Sequence, residues 1–290
     1  MATPHPDVYR TMNYEVAETI APSWERRRAE IEEVSAPVRE WMVRKLAPEA
    51  GQTVLELAAG AGDTGFEVAA ALGERGRLIS TDFSPRMLEA ARRRGAALGV
   101  ANVDYRLIDA ERIELDDDSI DGVLCRFGYM LMAESAAALA ETRRVLRPGG
   151  RLALAVWGPP ERNPFFSAIA ISLVRGGHMP PPDPAGPGLF SMASAERTTE
   201  LLEAAGFDEV LTEDVSVTFQ LPDIDEYVAF IADAAGPIAM VLRGLSAVDR
   251  EAVKAQTEAT LERFAGERGY RIPGVALCAV ARLCLDSEPL

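Results

Sequence analysis

The chain has 290 residues, 48% hydrophobic and 26% charged, a composition that builds a sizeable globular core and excludes a disordered or fibrous chain. Its net charge of -15 argues against broad contact with nucleic acid, which needs a basic face, and against docking on an anionic membrane. The three cysteines, Cys125, Cys278 and Cys284, have no CxxC spacing, which argues against a disulfide framework or a zinc site.

The opening "MATPHPDVYR" has no apolar leader pattern, so a soluble, cytoplasmic protein is expected. His5, in this tail, is expected to play no part. Glu25 to Leu46 places Ile31, Val34, Val38, Trp41 and Met42 near helical spacing. "TVLEL" (Thr53 to Leu57) is a short apolar run before a glycine turn and predicts a buried strand. Asp63 is expected to cap the helix that follows. "RLIST" (Arg77 to Thr81) is a second strand, and Ser84-Pro85 opens a second helix. "VDYRLI" (Val103 to Ile108) and "SIDGVLC" (Ser119 to Cys125) are further strands. Ser135 to Leu146 is helical, and after Pro148-Gly149-Gly150 comes a fifth strand, "RLALAVW" (Arg151 to Trp157).

Alternation at this rhythm predicts βαβ units and a mostly parallel sheet covered on both faces. Beyond Trp157 the rhythm loosens. Gly176 to Gly188 reads as a loop, Ala193 to Ala205 as a helix, Val210 to Phe219 as a strand, and Ile224 to Ala235 and Ala247 to Phe264 as helices. Val275 to Leu283 is a closing strand, on whose parity Cys278 and Cys284 read as two buried thiols. Tyr227 to Leu245 is broken by Asp233, Gly236, Pro237 and Arg243, so no membrane insertion is expected. No linker divides the chain. A single domain is expected: 1–50 as a helical cap, 51–157 as the cofactor-binding core, and 158–290 as substrate-side insertions and closing strands.

The stretch "LELAAGAGDTG" poses a question of cofactor. Gly60, Gly62 and Gly65 have the spacing of a dinucleotide-binding turn. A diphosphate at the start of the following helix would meet Asp63, and each like-charge pair costs about 4 kcal/mol at an effective dielectric of 20. S-adenosylmethionine carries a sulfonium and an ammonium in place of phosphates. Asp63 and Glu56 are compatible with such a cation. Asp82, at the end of the second strand, suits ribose hydroxyls in either cofactor. Asp109 in "IDAE" is placed to accept from an adenine amino group, with the Ala110 amide beside it and Phe83 and Met87 flanking the ring.

"VLELAAGAGD", "STDFSPRMLEAAR", "RLIDAERI", "SIDGVLCRFG" and "ETRRVLRPGGRLALAVW" together resemble the class I S-adenosylmethionine-dependent methyltransferases in order and spacing, over about Gly51 to Trp157. "LAAGAGD" and Phe127-Gly128 resemble the ubiquinone and menaquinone C-methyltransferase branch. Ala58 departs from it, since that branch commonly has glycine there; an alanine predicts an ordinary backbone at this position. "GPPERNPFF" and the C-terminal half resemble a small-molecule branch instead. The resemblance implies a Rossmann-like, seven-stranded, mostly parallel α/β sheet with helical lid insertions. Val275 to Leu283 would be its antiparallel strand, beside the strand from Val210. It also implies N-terminal helices over the cofactor, with Trp24 near the methionine end, and S-adenosylhomocysteine as product.

Methyl transfer needs alignment and exclusion of water, and a base only where the nucleophile keeps its proton. His178, in the Pro/Gly-rich loop, is the candidate base. Arg126 is a candidate for the methionine carboxylate, an acidic substrate or a structural carboxylate. Phe127, Tyr129 and Met130 are expected to wall the acceptor, with Phe165, Phe166, Phe190, Tyr227, Phe230 and Ile231 as its roof. The reading is methyl transfer to a small apolar or aromatic molecule, on oxygen or carbon sooner than nitrogen, by a monomer or homodimer without metal. A nicotinamide-dependent oxidoreductase and a non-catalytic S-adenosylmethionine-binding protein are the alternatives.

Overall fold

Val54 and Leu55 point to opposite sides of one strand and both are fully buried, so β1 (Thr53–Glu56) is covered on both faces. The computed structural model describes residues 5–183 and 186–284. Beside β1 lie β2 (Arg77–Asp82), β3 (Val103–Leu107), β4 (Ile120–Arg126), β5 (Leu146–Trp157), β6 (Asp208–Leu221), a two-residue β7 (Ala265–Gly266) and β8 (Gly269–Arg282). The sheet order is β3-β2-β1-β4-β5-β8-β6, with β7 paired to β8. The pairs from β3 through β5 are parallel, and β8 runs antiparallel between β5 and β6. The seven-strand path matches the expected fold; the hairpin piece β7 is an addition. Successive strands move outward from β1 to β3 and then resume on its other side with β4. This switch point puts the carboxyl ends of β1 and β4 next to each other, where open α/β sheets bind ligands.

The helices are α1 (Pro6–Arg26), α2 (Arg28–Leu46), α3 (Asp63–Leu72), α4 (Pro85–Leu98), α5 (Ser135–Val145), α6 (Pro164–Arg175), α7 (Ala195–Ala204), α8 (Ile224–Ala234), α9 (Pro237–Gly244) and α10 (Ala247–Leu261). The helix expected over Glu25 to Leu46 is α2; α1 precedes it, and its N-terminus is capped by His5, whose Nδ1 accepts from the Asp7 amide at 3.4 Å. α4 opens as expected: Ser84 Oγ accepts the Met87 amide at 3.1 Å and Pro85 occupies the first turn. β5 starts five residues before the expected Arg151, because the Pro148–Gly150 segment continues the strand. α8 and α9 meet at 116°, and no single helix among the described residues is long and apolar enough to cross a membrane.

The thiols correct the parity argument. Cys125 and Cys278 are buried, but Cys284 is exposed. It lies past the end of β8 at Arg282, where strand alternation no longer fixes which way a side chain points.

Candidate functional site

The turn after β1 is built around Glu56. Its side chain is buried; Oε1 accepts the Gly65 amide at 2.8 Å and Oε2 accepts the Ser80 hydroxyl at 3.0 Å. Burial pushes this carboxyl up to about 8, against the hydrogen bonds from Ser80 and Gly65. Gly60 and Gly62 adopt φ of +55° and +88°, as the turn requires. Ala58 also has φ of +51°, which corrects the expectation of an ordinary backbone. The Ala59 amide is tied to Thr81 O and the Gly62 amide to Ala59 O, each at 2.9 Å. These bonds hold the left-handed turn and offset the strain of an alanine in it.

Asp63 is not the cap. Gly62 occupies the N-cap without a side-chain bond, and Asp63 pairs with Arg94 at 3.0 Å. Its charge is neutralised by that partner, so the electrostatic case against a diphosphate passes to the carboxylates that line the cavity.

Asp82 ends β2. Its Oδ2 accepts the Gly60 amide and its Oδ1 the Ser84 amide, both at 2.9 Å. Burial raises it to about 6 in spite of these bonds. Just past β3, Asp109 Oδ1 accepts the Glu111 amide at 2.9 Å, and its Oδ2 is 3.6 Å from Arg10 Nε. Phe83 meets Tyr14 edge-on, with ring centroids 6.0 Å apart.

α1 crosses this rim. Glu18 accepts the Ser84 hydroxyl at 2.6 Å, and Trp24 Nε1 donates to Ala234 O at 3.0 Å. The Trp24 ring passes so close to Gly60 that a Cβ there would sit 3.4 Å from it. Arg10 reaches Glu111 and Asp109.

On the other side of the switch point, Arg126 ends β4 with 11% of its side chain exposed. It donates to Ser35 and to Glu32, both on α2. A structural carboxylate is thus its partner in this structure. Phe127, at φ of +60°, stacks on Trp157 with centroids 4.2 Å apart and planes 11° from parallel. Phe166 tilts against Trp157 at 4.9 Å.

Many of these groups line one cavity of about 260 Å³. Glu56, Ala58, Gly60, Asp82, Phe83, Met87, Asp109, Ala110 and Trp24 line it, as do Arg126, Phe127 and Met130. Phe166, Phe219 and Phe230 complete the aromatic end. Gly62 stays outside, packed so that a Cβ would clash with Phe66 at 2.7 Å. Tyr129 also stays outside: it is fully buried and its hydroxyl bonds to Thr142 at 2.6 Å. Tyr227 donates its hydroxyl to Phe165 O at 2.7 Å and packs in the core, as do Phe165 and Ile231. Phe190 packs against that core, also off the lining. His178 sits at the end of α6, where its amide bonds to Leu173 O at 2.9 Å and its ring covers Gly176, away from the cavity.

The sequence reading did not single out Arg10, Ser35, Thr64, Trp157 or Phe219, all of which line the cavity. Trp157 alone carried a signal, as the last residue of a strand next to the switch point. Among the described residues, no group of three or more His, Cys, Asp or Glu side chains is arranged to hold a metal ion.

A cofactor with a cationic amino-acid end, a ribose and an adenine fits this donor set. Carboxylates stand at or just past the ends of β1, β2 and β3. Glu56 and Asp82, both raised by burial, gain from a nearby positive charge. Two buried donors without a hydrogen-bond partner among the described residues, Thr64 Oγ1 and Arg10 Nε, belong to residues that line the cavity. A diphosphate would lie against this carboxylate rim.

Residues 35–170 match the model of the ubiE/COQ5 methyltransferase family. A demethylmenaquinone methyltransferase from Clavibacter sepedonicus is 33% identical over 139 residues, which is 46% of this chain and 55% of that one. The chain spans no more than about half the length of the first curated relatives it matches. Among solved structures, Haemonchus contortus phosphoethanolamine N-methyltransferase 2 with bound S-adenosylhomocysteine is 17% identical, covers 86% of this chain and 52% of its own, with a TM-score of 0.54. The [4+2]-cyclase SpnF is 19% identical and covers 93% and 97%, with a TM-score of 0.58. Over residues 35–170 the chain is thus similar to the core of the class I S-adenosylmethionine-dependent methyltransferases, a core whose cofactor is S-adenosylmethionine.

Proposed function

We propose that this protein transfers a methyl group from S-adenosylmethionine to a small, planar, apolar acceptor, at oxygen or carbon. One observation carries the reading: the carboxylate-rimmed crevice and the aromatic chamber of Phe127, Trp157, Phe166, Phe219 and Phe230 are a single cavity. When bound, the cofactor supplies a methyl carbon activated by its sulfonium. In the proposed arrangement Asp82 accepts from the ribose hydroxyls, and Asp109 with the Ala110 amide reads the adenine between Phe83 and Met87. Glu56 stands at the ammonium end. The aromatic walls hold the acceptor flat and exclude water, and alignment of reacting groups can supply up to roughly 7–11 kcal/mol.

The ionisable groups that line the cavity, Arg10, Glu56, Asp82, Asp109, Glu111 and Arg126, are each already bonded to a neighbour. That favours an acceptor that arrives deprotonated or reacts at an electron-rich carbon, as a phenol or enol does. The curated relatives named demethylmenaquinone methyltransferases support an aromatic acceptor. The family match stops at residue 170, however, and Phe219 and Phe230 come from beyond it. We take the whole chain as one domain, acting in the cytoplasm as monomer or homodimer on a small molecule.

The test supplies labelled S-adenosylmethionine with a panel of phenols, quinols and amines. Label in a phenol or quinol supports the proposal. Saturable S-adenosylhomocysteine binding with no product across the panel favours a non-catalytic protein. Binding of NAD in place of S-adenosylhomocysteine points to the oxidoreductase.

A further inference from the structure

We propose that Asn163 is the positioning residue of the acceptor chamber and acts through Trp157 and Phe166; the inference rests on the acceptor reading above. The two rings stand at the ends of "WGPPERNPFF", the stretch that joins β5 to α6. Between them the chain turns back through Pro159, Pro160 and Pro164 and a short 3₁₀ turn (Pro160–Arg162). Proline has no N–H to donate, so this connection needs a side chain to hold it.

Asn163 is that side chain. It is fully buried. Its Nδ2 donates to Gly158 O at 2.9 Å, Val275 O at 3.0 Å and Pro159 O at 3.2 Å, and its Oδ1 accepts the Val275 amide at 3.0 Å. Its backbone carbonyl accepts the Phe166 and Ser167 amides, each at 3.1 Å. One residue therefore ties the exit of β5 to β8 and opens α6. The fit is close: the Gly158 amide donates to Val275 O at 2.9 Å, and a Cβ on Gly158 would lie 3.1 Å from that oxygen.

The clamp sets the rings. Trp157 pairs with Ala276 in the β5–β8 ladder, next to Val275. Phe166 lies in the first turn of α6. Their centroids are 4.9 Å apart at a tilt of 52°, and Phe219 closes on Trp157 at 6.0 Å and on Phe166 at 5.7 Å. These three rings line the cavity and Asn163 does not, so Asn163 acts through them. The carboxylate side of the cavity is held by separate bonds, those of Glu56, Asp82 and Asp109. Loosening the clamp should weaken the acceptor and spare the cofactor.

The experiment is calorimetric titration of the full chain with S-adenosylhomocysteine, and then of the saturated complex with 2-naphthol, a planar apolar phenol. Asn163→Ala should weaken 2-naphthol roughly tenfold, within the range for residues coupled through shared packing, and leave S-adenosylhomocysteine within about twofold. In a Phe166→Leu background the same substitution should cost 2-naphthol less than about twofold, because the ring it positions is gone. Asn163→Asp keeps the shape but sets a carboxylate against carbonyl oxygens, which favours its protonated form. Its 2-naphthol affinity relative to wild type at the same pH should therefore recover as pH falls from 8 to 6, which also supplies a folded variant should the alanine fail to fold. Equal weakening of both probes, no weakening of either, or additive losses with Phe166→Leu overturns the proposal. A wild-type complex that does not bind 2-naphthol and labels no phenol or quinol overturns the acceptor reading, and the proposal falls with it. Melting curves of each variant separate loss of binding from loss of fold.

Discussion

Gly65 and Glu56 are in mutual contact: the Gly65 amide donates to Glu56 Oε1 at 2.8 Å, and a Cβ on Gly65 would lie 2.2 Å from Glu56 Oε2. The last glycine of the turn lets the first turn of α3 close on a buried carboxylate. Gly65→Ala should therefore push Glu56 out of place. Overpacking of this kind destabilises by roughly 1–3 kcal/mol, and S-adenosylhomocysteine affinity should fall with it. Gly244→Ala, where nothing lies within 4 Å of the added carbon, is the control: affinity should be unchanged and stability should not fall, since alanine suits the end of a helix better than glycine. Denaturant melts and calorimetry read the two effects. Wild-type behaviour in Gly65→Ala would remove the contact from the argument.

The raised carboxyls give a pH dependence with a definite sign. Burial lifts Glu56 to about 8 and Asp82 to about 6, above their ordinary values, so the folded chain holds more protons than the unfolded one between the carboxylate range and pH 8. Stability of the ligand-free protein should then fall as pH rises from 5 to 8, at about 1.4 kcal/mol per unit of pKa difference for each group. A bound cation reverses the preference. Binding of S-adenosylhomocysteine, through its ammonium, should release protons near neutral pH and tighten as pH rises from 6 to 8. Titrations in buffers of different ionisation enthalpy measure that release. Proton uptake on binding contradicts the placement of Glu56 beside a positive charge.

Asp82→Ala removes an acceptor that holds the Gly60 and Ser84 amides as well as its proposed ribose contacts. Cofactor affinity should drop by at least roughly 1.5–3 kcal/mol, the scale for hydrogen bonds to a charged group. An unchanged dissociation constant in a titration of folded variant would take Asp82 out of the site.

The parallel half of the sheet was legible because strands buried on both faces read as short apolar runs ending in turns, as in Thr53 to Leu57. Asp82 and Asp109 were legible for the same reason: each sits where such a run stops. α1 was not. It is fixed by long-range partners that leave no local period, such as Arg10 to Glu111, Glu18 to Ser84 and Trp24 to Ala234. The aromatic chamber was half legible. Phe127, Phe166 and Phe230 were named, but helical spacing alone cannot tell the last two from Phe165 and Tyr227, which turn into the core. Asp63 misled because its partner, Arg94, lies 31 residues away.

His178 tests the placement of the loop. Its ring lies against Gly176 at the end of α6, and the bond that fixes it in the chain is made by its backbone amide. His178→Ala keeps that bond. Cofactor affinity and methyl-transfer rate with the best acceptor from the panel should both stay within twofold, an interval of roughly 0.4 kcal/mol. A large loss of rate with unchanged affinity would show that the loop swings to the cavity and that His178 works there as a base.

Ala58 offers a gain in place of a loss. An L-residue in the left-handed region costs roughly 1–2 kcal/mol against glycine, while glycine loses roughly 0.5–1 kcal/mol more backbone entropy on folding than alanine. At φ of +51° the first effect exceeds the second, so Ala58→Gly should raise stability by roughly 0.5–1 kcal/mol. Gly60→Ala is the opposite case. Its φ is +55°, which strains an alanine, while the new carbon would only touch the Trp24 ring at 3.4 Å, so it should destabilise the fold through the backbone. Urea midpoints for the two variants should move in opposite directions from wild type. A lowered midpoint in Ala58→Gly would mean that the alanine methyl on the cavity wall stabilises the turn more than its backbone strain costs.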